Sequence, residues 1–397
     1  MPQLKIKILD KDTEGETLYQ SKEIKLGSRG FETPLMTLDT ALLRKDENLS
    51  PIVKGYNEIY KRVGTRQTPL EILIRDLDKQ EEFNSRINTQ LNKINPDVEL
   101  TSCYIEYVGY NYPSGPELEF ILDTSYCYSD LVPLPIIHSI TKNIKNDSEF
   151  GKYLDFIKSS ITFLESFNKK PIIGMVPRLA YKYITELIEF YVSYDVKLYS
   201  VDLACRSVTT LRQPLLACFR KLNEYGLVEE GFISAINTSP GRFIKDNYVI
   251  NSKDILCYGF GFDTIARRHR PLRMPKEIWE KIDRSSSKLR LFNKEDYGYY
   301  KIFGLSDVDE IYQFDSSIPR KVFSVPLLTK RYIIRRFENI YNTEQIGFEA
   351  FRIRNILRDY IPKEYISQKT HVKKQDIKKI TKFKRDFDRI NLSKWFN

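Results

Sequence analysis

Histidine is scarce in this chain, with three in 397 residues. His138, His269 and His371 stand far apart, so none belongs to a metal-binding motif of its own. The five cysteines, Cys103, Cys127, Cys205, Cys218 and Cys257, form no CxxC pair. Several sit in apolar runs, where a thiol behaves as a small hydrophobe, so neither a zinc cluster nor a disulfide framework is expected. Only two tryptophans are present, Trp279 and Trp395, and neither ends an apolar run. That argues against a sugar-stacking glycosidase cleft. No apolar stretch approaches the roughly 20 residues that span a bilayer. The opening MPQLKIKILDKD lacks a basic segment followed by an apolar one. The expectation is a cytoplasmic protein with no membrane contact.

What is abundant is positive charge and aromatic surface. The net charge is +10, with 26 Tyr and 23 Phe. The basic residues cluster in ARRHRPLRMPK (266–276), TKRYIIRRFE (329–338) and the tail HVKKQDIKKITKFKRDFDR (371–389). Basic blocks interleaved with aromatics suit a polyanion, most simply nucleic acid, although a solvated lysine-rich surface gives the same composition.

Five apolar runs end in a polar residue that chemistry can use: FETPLMTLD at Asp39, LEFILD at Asp123, VKLYSVD at Asp202, FISAIN at Asn237 and ILCYGFGFD at Asp263. A sixth, KPIIGMVP, ends at Pro177 and Arg178. From Glu117 onward such runs alternate with amphipathic stretches such as SEFGKYLDFIKSSITFLESF and RLAYKYITELIEFYVSY. The period of about thirty residues is that of a βα unit. The pattern predicts an α/β fold, a (β/α)8 TIM barrel, with an N-terminal β-hairpin and a C-terminal helical extension. The expected divisions are 1–30 for the hairpin, 31–275 for the barrel, and 276–397 for the extension with its basic tail. SPIVKGYNEIYKRVG reads as partly helical from its Ser-Pro start, and ELTSCYIEYVGY as a strand or hairpin. In a barrel the strand C-termini share one mouth, where several carboxylates repel unless cations or protons offset them.

The order of motifs resembles the tRNA-guanine transglycosylase superfamily, and most of all its DNA-modifying branch, the DpdA-type 7-deazaguanine transglycosylases. The resemblance runs from about residue 22 to 360 and rests on five segments. They are KEIKLGSRGFETPLMTLD, FILDTSY, KPIIGMVPRLAYKYITELIEFYVSYDVKLYSVDL, YGFGFDTIARRHR and SVPLLTKRYIIRRFENIYNTEQIGFEAFRIRNIL. The family's zinc-binding cysteines and histidine are missing, and KLRLFNKEDYGYY through DSSIPRKVF takes their place. The family's base-pocket Gln falls at Pro177, and its Gly-Gly-Leu loop at Asp202, Leu203 and Ala204.

The resemblance implies an enzyme that exchanges guanine in nucleic acid for a free 7-deazaguanine base, such as 7-cyano-7-deazaguanine, without a cofactor or metal. The rewritten zinc segment favours DNA over tRNA. An inactive paralogue that binds nucleic acid is the reading from another class, and a homodimer is left open. In the resemblance Asp263 is the nucleophile that attacks C1′, and Asp123 is the acid that protonates the departing base. As an alternative, Asp123 caps a turn. Asp202 would read the purine N–H edge, with Asp39 and Asn237 as weaker candidates. Thr124 and Ser125 follow the acid, and Tyr126, Tyr258 and Phe262 stack on the base or fill the core. Gly259 and Gly261 admit the nucleotide backbone or relieve crowding in a strand. Arg267, Arg268, Arg270 and Arg273 hold flanking phosphates, or pair with the carboxylates of the mouth.

Overall fold

A computed structural model describes residues 3–44, 47, 49–167, 170–241, 248–270, 289–302, 305–324, 327–359 and 361–393. The chain opens with an antiparallel sheet of β1 (Leu4–Lys11), β2 (Gln20–Leu26) and β3 (Arg29–Glu32), in the order β1-β2-β3. Alternation sets its register, with Leu4 opposite Leu26 and Ile6 opposite Ile24. The intervening turn is held by the Asp12 carboxylate, which accepts from the Thr17 backbone N–H at 2.9 Å and from its hydroxyl at 2.6 Å.

The body is a mixed α/β structure with two parallel sheets. The larger has the order β4 (Leu35–Met36), β13 (Thr264–Ile265), β11 (Phe232–Ile236), β10 (Leu198–Asp202), β9 (Ile172–Val176) and β8 (Val132–Pro133). The smaller comprises β5 (Leu38–Asp39), β6 (Tyr56–Val63) and β7 (Leu100–Tyr107). One residue, Thr37, separates β4 from β5, so the chain passes directly from one sheet to the other. At the far edges a parallel bridge pairs Glu106 of β7 with Ile136, just beyond β8. The sheets face each other: the Tyr104 hydroxyl of β7 lies 2.7 Å from Ser200 Oγ of β10.

Side chains on the facing surfaces change character along the strands. Where the strands begin, Leu35, Tyr56, Leu100, Ile173, Leu198 and Phe232 form one apolar cluster with Ile24, Leu26 and Phe31 of the N-terminal sheet. That sheet therefore closes this end, and burying its apolar face is what fixes it there. Midway, hydroxyls pair with one another, Tyr56 with Ser102 at 2.8 Å and Thr264 with Ser234 at 2.9 Å. At the strand ends come charged side chains. The opposite strand faces carry Ile59, Cys103, Ile105, Val201 and Ile233 into the main core, beneath the surrounding helices.

Helices Asp147–Glu165, Tyr181–Val192 and Arg212–Glu224 fall where the periodicity places them. Three segments differ from expectation. SPIVKGYNEIYKRVG forms only a short turn at Pro51–Val53 before strand β6. Its period of two, with Glu58, Tyr60 and Arg62 against Ile59 and Val63, outweighs the Ser-Pro signal. LEFILD is not a strand but the middle of helix Gly115–Cys127. The helix starts at Ser114, whose backbone N–H and hydroxyl donate to the Glu117 carboxylate at 2.7 and 2.9 Å. ILCYGFGFD winds into a 3-10 turn over Ile255–Phe260, and the strand begins only after Asp263.

The segment beyond the parallel strands is tied back to them. β12 (Val249–Asn251) pairs with β15 (Gly298–Ile302), which pairs with β14 (Leu289–Asn293). The expected helical pair is one helix, Leu327–Asp359. The basic tail is helical over Lys374–Ser393, and buried Phe383 packs 5.9 Å from Phe219 and 4.9 Å from Phe260. Among the described residues no helix is long and apolar enough to cross a membrane, and no group of three His, Cys, Asp or Glu is placed to hold a metal ion.

Candidate active site

Four strands of the two sheets deliver carboxylates to the same end. Asp39 closes β5, Glu58 and Glu106 lie on β6 and β7, and Asp202 closes β10. All four residues are buried. Four cations meet them: Arg62 on β6, and Arg267, His269 and Arg270 just beyond β13.

The contacts form two linked groups. In the first, His269 Nε2 lies 2.8 Å from Glu58 Oε1, and its Nδ1 is 3.9 Å from Asp39 Oδ2. Arg267 reaches the same Asp39 oxygen at 3.4 Å. The His269 ring stacks on Tyr60, with centroids 4.2 Å apart and planes 5° apart. In the second, Arg270 pairs with Asp202 Oδ2 and lies 3.4 Å from Glu106 Oε1. Glu106 Oε2 also accepts from Arg62 Nε at 2.8 Å and from the Tyr60 hydroxyl at 3.3 Å. Asn237 joins the groups. Its side-chain amide donates to Asp202 at 3.2 Å, and its carbonyl oxygen accepts from the His269 backbone N–H at 3.1 Å. Asn237, Ala204 and Cys205 all have φ between 51° and 59°. Left-handed backbone at three non-glycine positions beside one carboxylate is strain of the kind that gathers at functional sites.

Burial pushes the Glu58 carboxyl upward, against the opposing pull of His269. Burial alone would lower His269, but the Glu58 charge and hydrogen bond outweigh it, and the imidazole is raised above its ordinary 6.5. A histidine raised on folding stabilises the protein fully below its unfolded pKa. That contribution is lost as pH rises through the folded value. The imidazole should therefore titrate above 6.5 in an NMR pH series, and Glu58→Gln should bring it down. An unshifted midpoint in wild type would show that the pair is not formed.

The residues expected from the sequence divide sharply. Asp202, Arg267 and Arg270 belong to this end, as do Asp39 and Asn237. Arg268 is beside them, its Nε donating to the Arg270 carbonyl at 2.8 Å. Arg273 lies outside the described residues.

Asp263 does not join the cluster. It precedes its strand, so its side chain lies at the opposite, closed end. The carboxylate is 0% exposed, 3.0 Å from Lys22 Nζ, and accepts from the Ile233 N–H at 2.7 Å. Lys22 also donates to the Val228 and Gly231 carbonyls, both at 2.7 Å. These partners hold the Asp263 carboxylate at the end packed against the N-terminal sheet, apart from the other carboxylates.

Asp123 is equally misplaced. It is exposed on the outer helix Gly115–Cys127, away from the strand ends. Thr124 and Ser125 are buried beneath it, and the Ser125 hydroxyl ties the helix to the Cys103 and Pro133 carbonyls at 3.0 Å each. Tyr126 stacks on Phe167 with centroids 4.9 Å apart, and Lys170 Nζ lies over the Tyr126 ring, 4.6 Å from its centroid. Tyr258 and Phe262 are core residues. Gly259 and Gly261 admit no ligand: a Cβ at Gly259 would meet the Tyr19 ring at 2.8 Å, and one at Gly261 the Phe219 ring at 2.8 Å. Gly261 also needs its φ of 95°.

Glu58, Tyr60, Arg62, Glu106 and His269 went unrecognised in the sequence. The alternation in YNEIYKRV and the strand reading of ELTSCYIEYV were the signals available for the first four.

No family model and no curated protein matches this chain. Among solved structures, the enoyl reductase domain of MlnA from the macrolactin biosynthesis cluster of Bacillus amyloliquefaciens is similar with a TM-score of 0.30 and 9% identity, covering 85% of this chain and 96% of that chain. A likeness of that depth carries no argument about fold or function.

Proposed function

We propose that this protein is a (β/α)8-barrel transglycosylase that exchanges guanine in nucleic acid, DNA in preference to tRNA, for a free 7-deazaguanine base. The barrel reading is supported by the two seams, Thr37 between β4 and β5 and the Glu106–Ile136 bridge, which link the nine parallel strands into a ring of eight when β4 and β5 are counted as halves of one. The functional reading rests on one observation, the convergence of Asp39, Glu58, Glu106 and Asp202 with arginines at one end of the strands. Breaking a glycosidic bond needs one carboxylate to stabilise or attack the electron-poor C1′ and another to move a proton to and from the base. Asp202 suits the first role, because it closes β10 with Arg270 paired to one carboxylate oxygen and the Asn237 amide donating to the other. Glu58 suits the second, because burial raises it and His269 relays its proton. These two replace Asp263 and Asp123 in the mechanism. Arg267, His269 and Arg270 of the strip 266–270 cover the carboxylates by pairing with them, so turnover requires the substrate to displace these contacts.

The test is incubation of purified protein with DNA or tRNA and 7-cyano-7-deazaguanine, followed by mass analysis of the released nucleosides. A modified deoxynucleoside is the expected product. A modified ribonucleoside alone would move the substrate to tRNA. Nucleic acid that binds with a steep salt dependence but never incorporates the base would favour the inactive paralogue. That second reading draws on the same covering strip, since Arg267, His269 and Arg270 already occupy three of the carboxylates.

A further inference from the structure

The helix Lys374–Ser393 carries five lysines and two arginines against three aspartates, a net charge of +4. Its inner face is committed to the core. Ile380, Phe383 and Phe387 are buried there, beneath the charged surface. The three aspartates are committed as well. Asp376 is 3% exposed and lies 3.7 Å from both Lys253 and Lys379. Asp386 pairs with Arg212, and its carbonyl accepts from Arg220 Nε at 3.2 Å. The Asp388 carboxylate accepts from Lys384 at 2.7 and 2.6 Å.

What remains is a single row on the outer face: Lys374, Lys378, Lys382, Arg385 and Arg389, all exposed. Steps of four, four, three and four residues return to the same side of a helix at each turn. Among the described residues, Lys374, Lys378, Lys382 and Arg385 have no hydrogen-bond or ion-pair partner, and Arg389 reaches only Asp386, at 3.9 Å. Lys378, Lys382, Arg385 and Arg389 also line a groove of about 720 Å³, bounded on its other side by Gly15 and Glu16 of the turn between β1 and β2. The acids of the groove do not balance these cations, because Asp388 is taken by Lys384 and Glu16 accepts from Lys363 at 2.7 and 2.6 Å. A face that is merely solvated mixes both signs, whereas like charges one turn apart repel and cost stability unless an anion offsets them.

We propose that this row docks the phosphate backbone of a nucleic-acid strand, as an anchor that reads no sequence and is separate from the carboxylate cluster. Fifteen residues from Lys374 to Arg389 at about 1.5 Å each make a row of about 22 Å. Phosphates of one B-form strand rise about 3.4 Å each, so the row faces about six of them. Lysine and arginine on long stems follow such a backbone as charges and position it without contacting base edges. The same basic pattern would suit an anionic membrane if the apolar face were free to insert, but that face is buried against the protein. The inference rests on the proposed function for the class of polyanion, and on the helix and its groove for the anchoring.

Fluorescence anisotropy of a labelled 20-nucleotide single strand and its duplex, titrated with full-length protein between 50 and 200 mM salt, tests it. Lys378→Gln/Lys382→Gln/Arg385→Gln should weaken binding at least about tenfold at the lower salt. It should also reduce the log–log salt slope by about 2 to 3, since each phosphate contact contributes about 0.7 for a single strand and 0.9 for a duplex. The control Lys7→Gln/Lys152→Gln/Lys158→Gln removes the same charge from exposed positions elsewhere and should bind like wild type. In unmodified protein, bound oligonucleotide should protect Lys378 and Lys382 from acetylation while leaving Lys152 and Lys158 reactive. Equal losses in the two triple variants, or no protection, overturn the proposal. So does binding to phosphatidylserine vesicles without binding to either oligonucleotide. Base exchange is measured separately. A protein that exchanges bases with the same KM in both triple variants sinks only this inference, and one that binds through the row but never exchanges bases sinks only the function.

Discussion

Asp263→Asn is expected to lose about 3–5 kcal/mol of stability, because it leaves the Lys22 ammonium buried without its counter-charge. Both side chains are 0% exposed, and water cannot take over from the missing carboxylate. Lys22→Met should be of similar severity, since it strands the carboxylate and removes the donor to Val228 and Gly231. In the double variant Lys22→Met/Asp263→Asn no buried charge remains, while an amide oxygen still accepts from Ile233. Its cost should be well below the sum of the two single losses. Urea unfolding of the four proteins measures this. A native-like unfolding midpoint for Asp263→Asn, with base exchange abolished, would restore Asp263 as the nucleophile and overturn its structural role.

The other large effect is chemical. Glu58→Gln is expected to slow base exchange by roughly 10²–10⁴-fold, the usual contribution of a proton-transfer group. The side chain keeps its shape, and the amide faces an imidazole that can shed its proton, so the cost in stability should be smaller than at Asp263. Asp202→Asn should abolish exchange and any covalent adduct with the nucleic acid, because an amide neither attacks C1′ nor stabilises positive charge there. Asp123→Asn should exchange bases at the wild-type rate, as its carboxylate is exposed on an outer helix. Single-turnover rates measured by nucleoside mass analysis decide the matter. A Glu58→Gln protein with wild-type turnover would remove the acid–base role, and an inactive Asp123→Asn protein would return that function to Asp123.

The class of fold was readable because parallel strands buried on both faces are written as short apolar runs, and their helices as longer amphipathic ones. KPIIGMV, VKLYSVD and FISAIN are strands, and the helices between them follow their apolar periodicity. Where signals competed, the local rule lost to packing. Ser50-Pro51 was a valid helix start, but Glu58, Tyr60 and Arg62 alternate on one face of a strand. The acidic end of an apolar run was an equally valid strand end, but Ser114 and Glu117 had already committed Asp123 to a helix.

The sequence by itself determined the α/β class, the order of most elements, the placement of Asp39, Asp202 and Asn237 at strand ends, and the basic character of the segment after Asp263. Those follow from periodicity and composition, which are local. Only the tertiary structure decided which end of the strands each carboxylate faces. A shift of a few residues, from a strand ending at Asp263 to one beginning after it, moves that carboxylate from the open end to the closed one, opposite Lys22 more than two hundred residues away. The same holds for the partners of the real cluster. Glu58, Glu106 and His269 are unremarkable in the chain. They become a site because parallel strands in register bring their ends to a common plane, where charge is buried and must be paired.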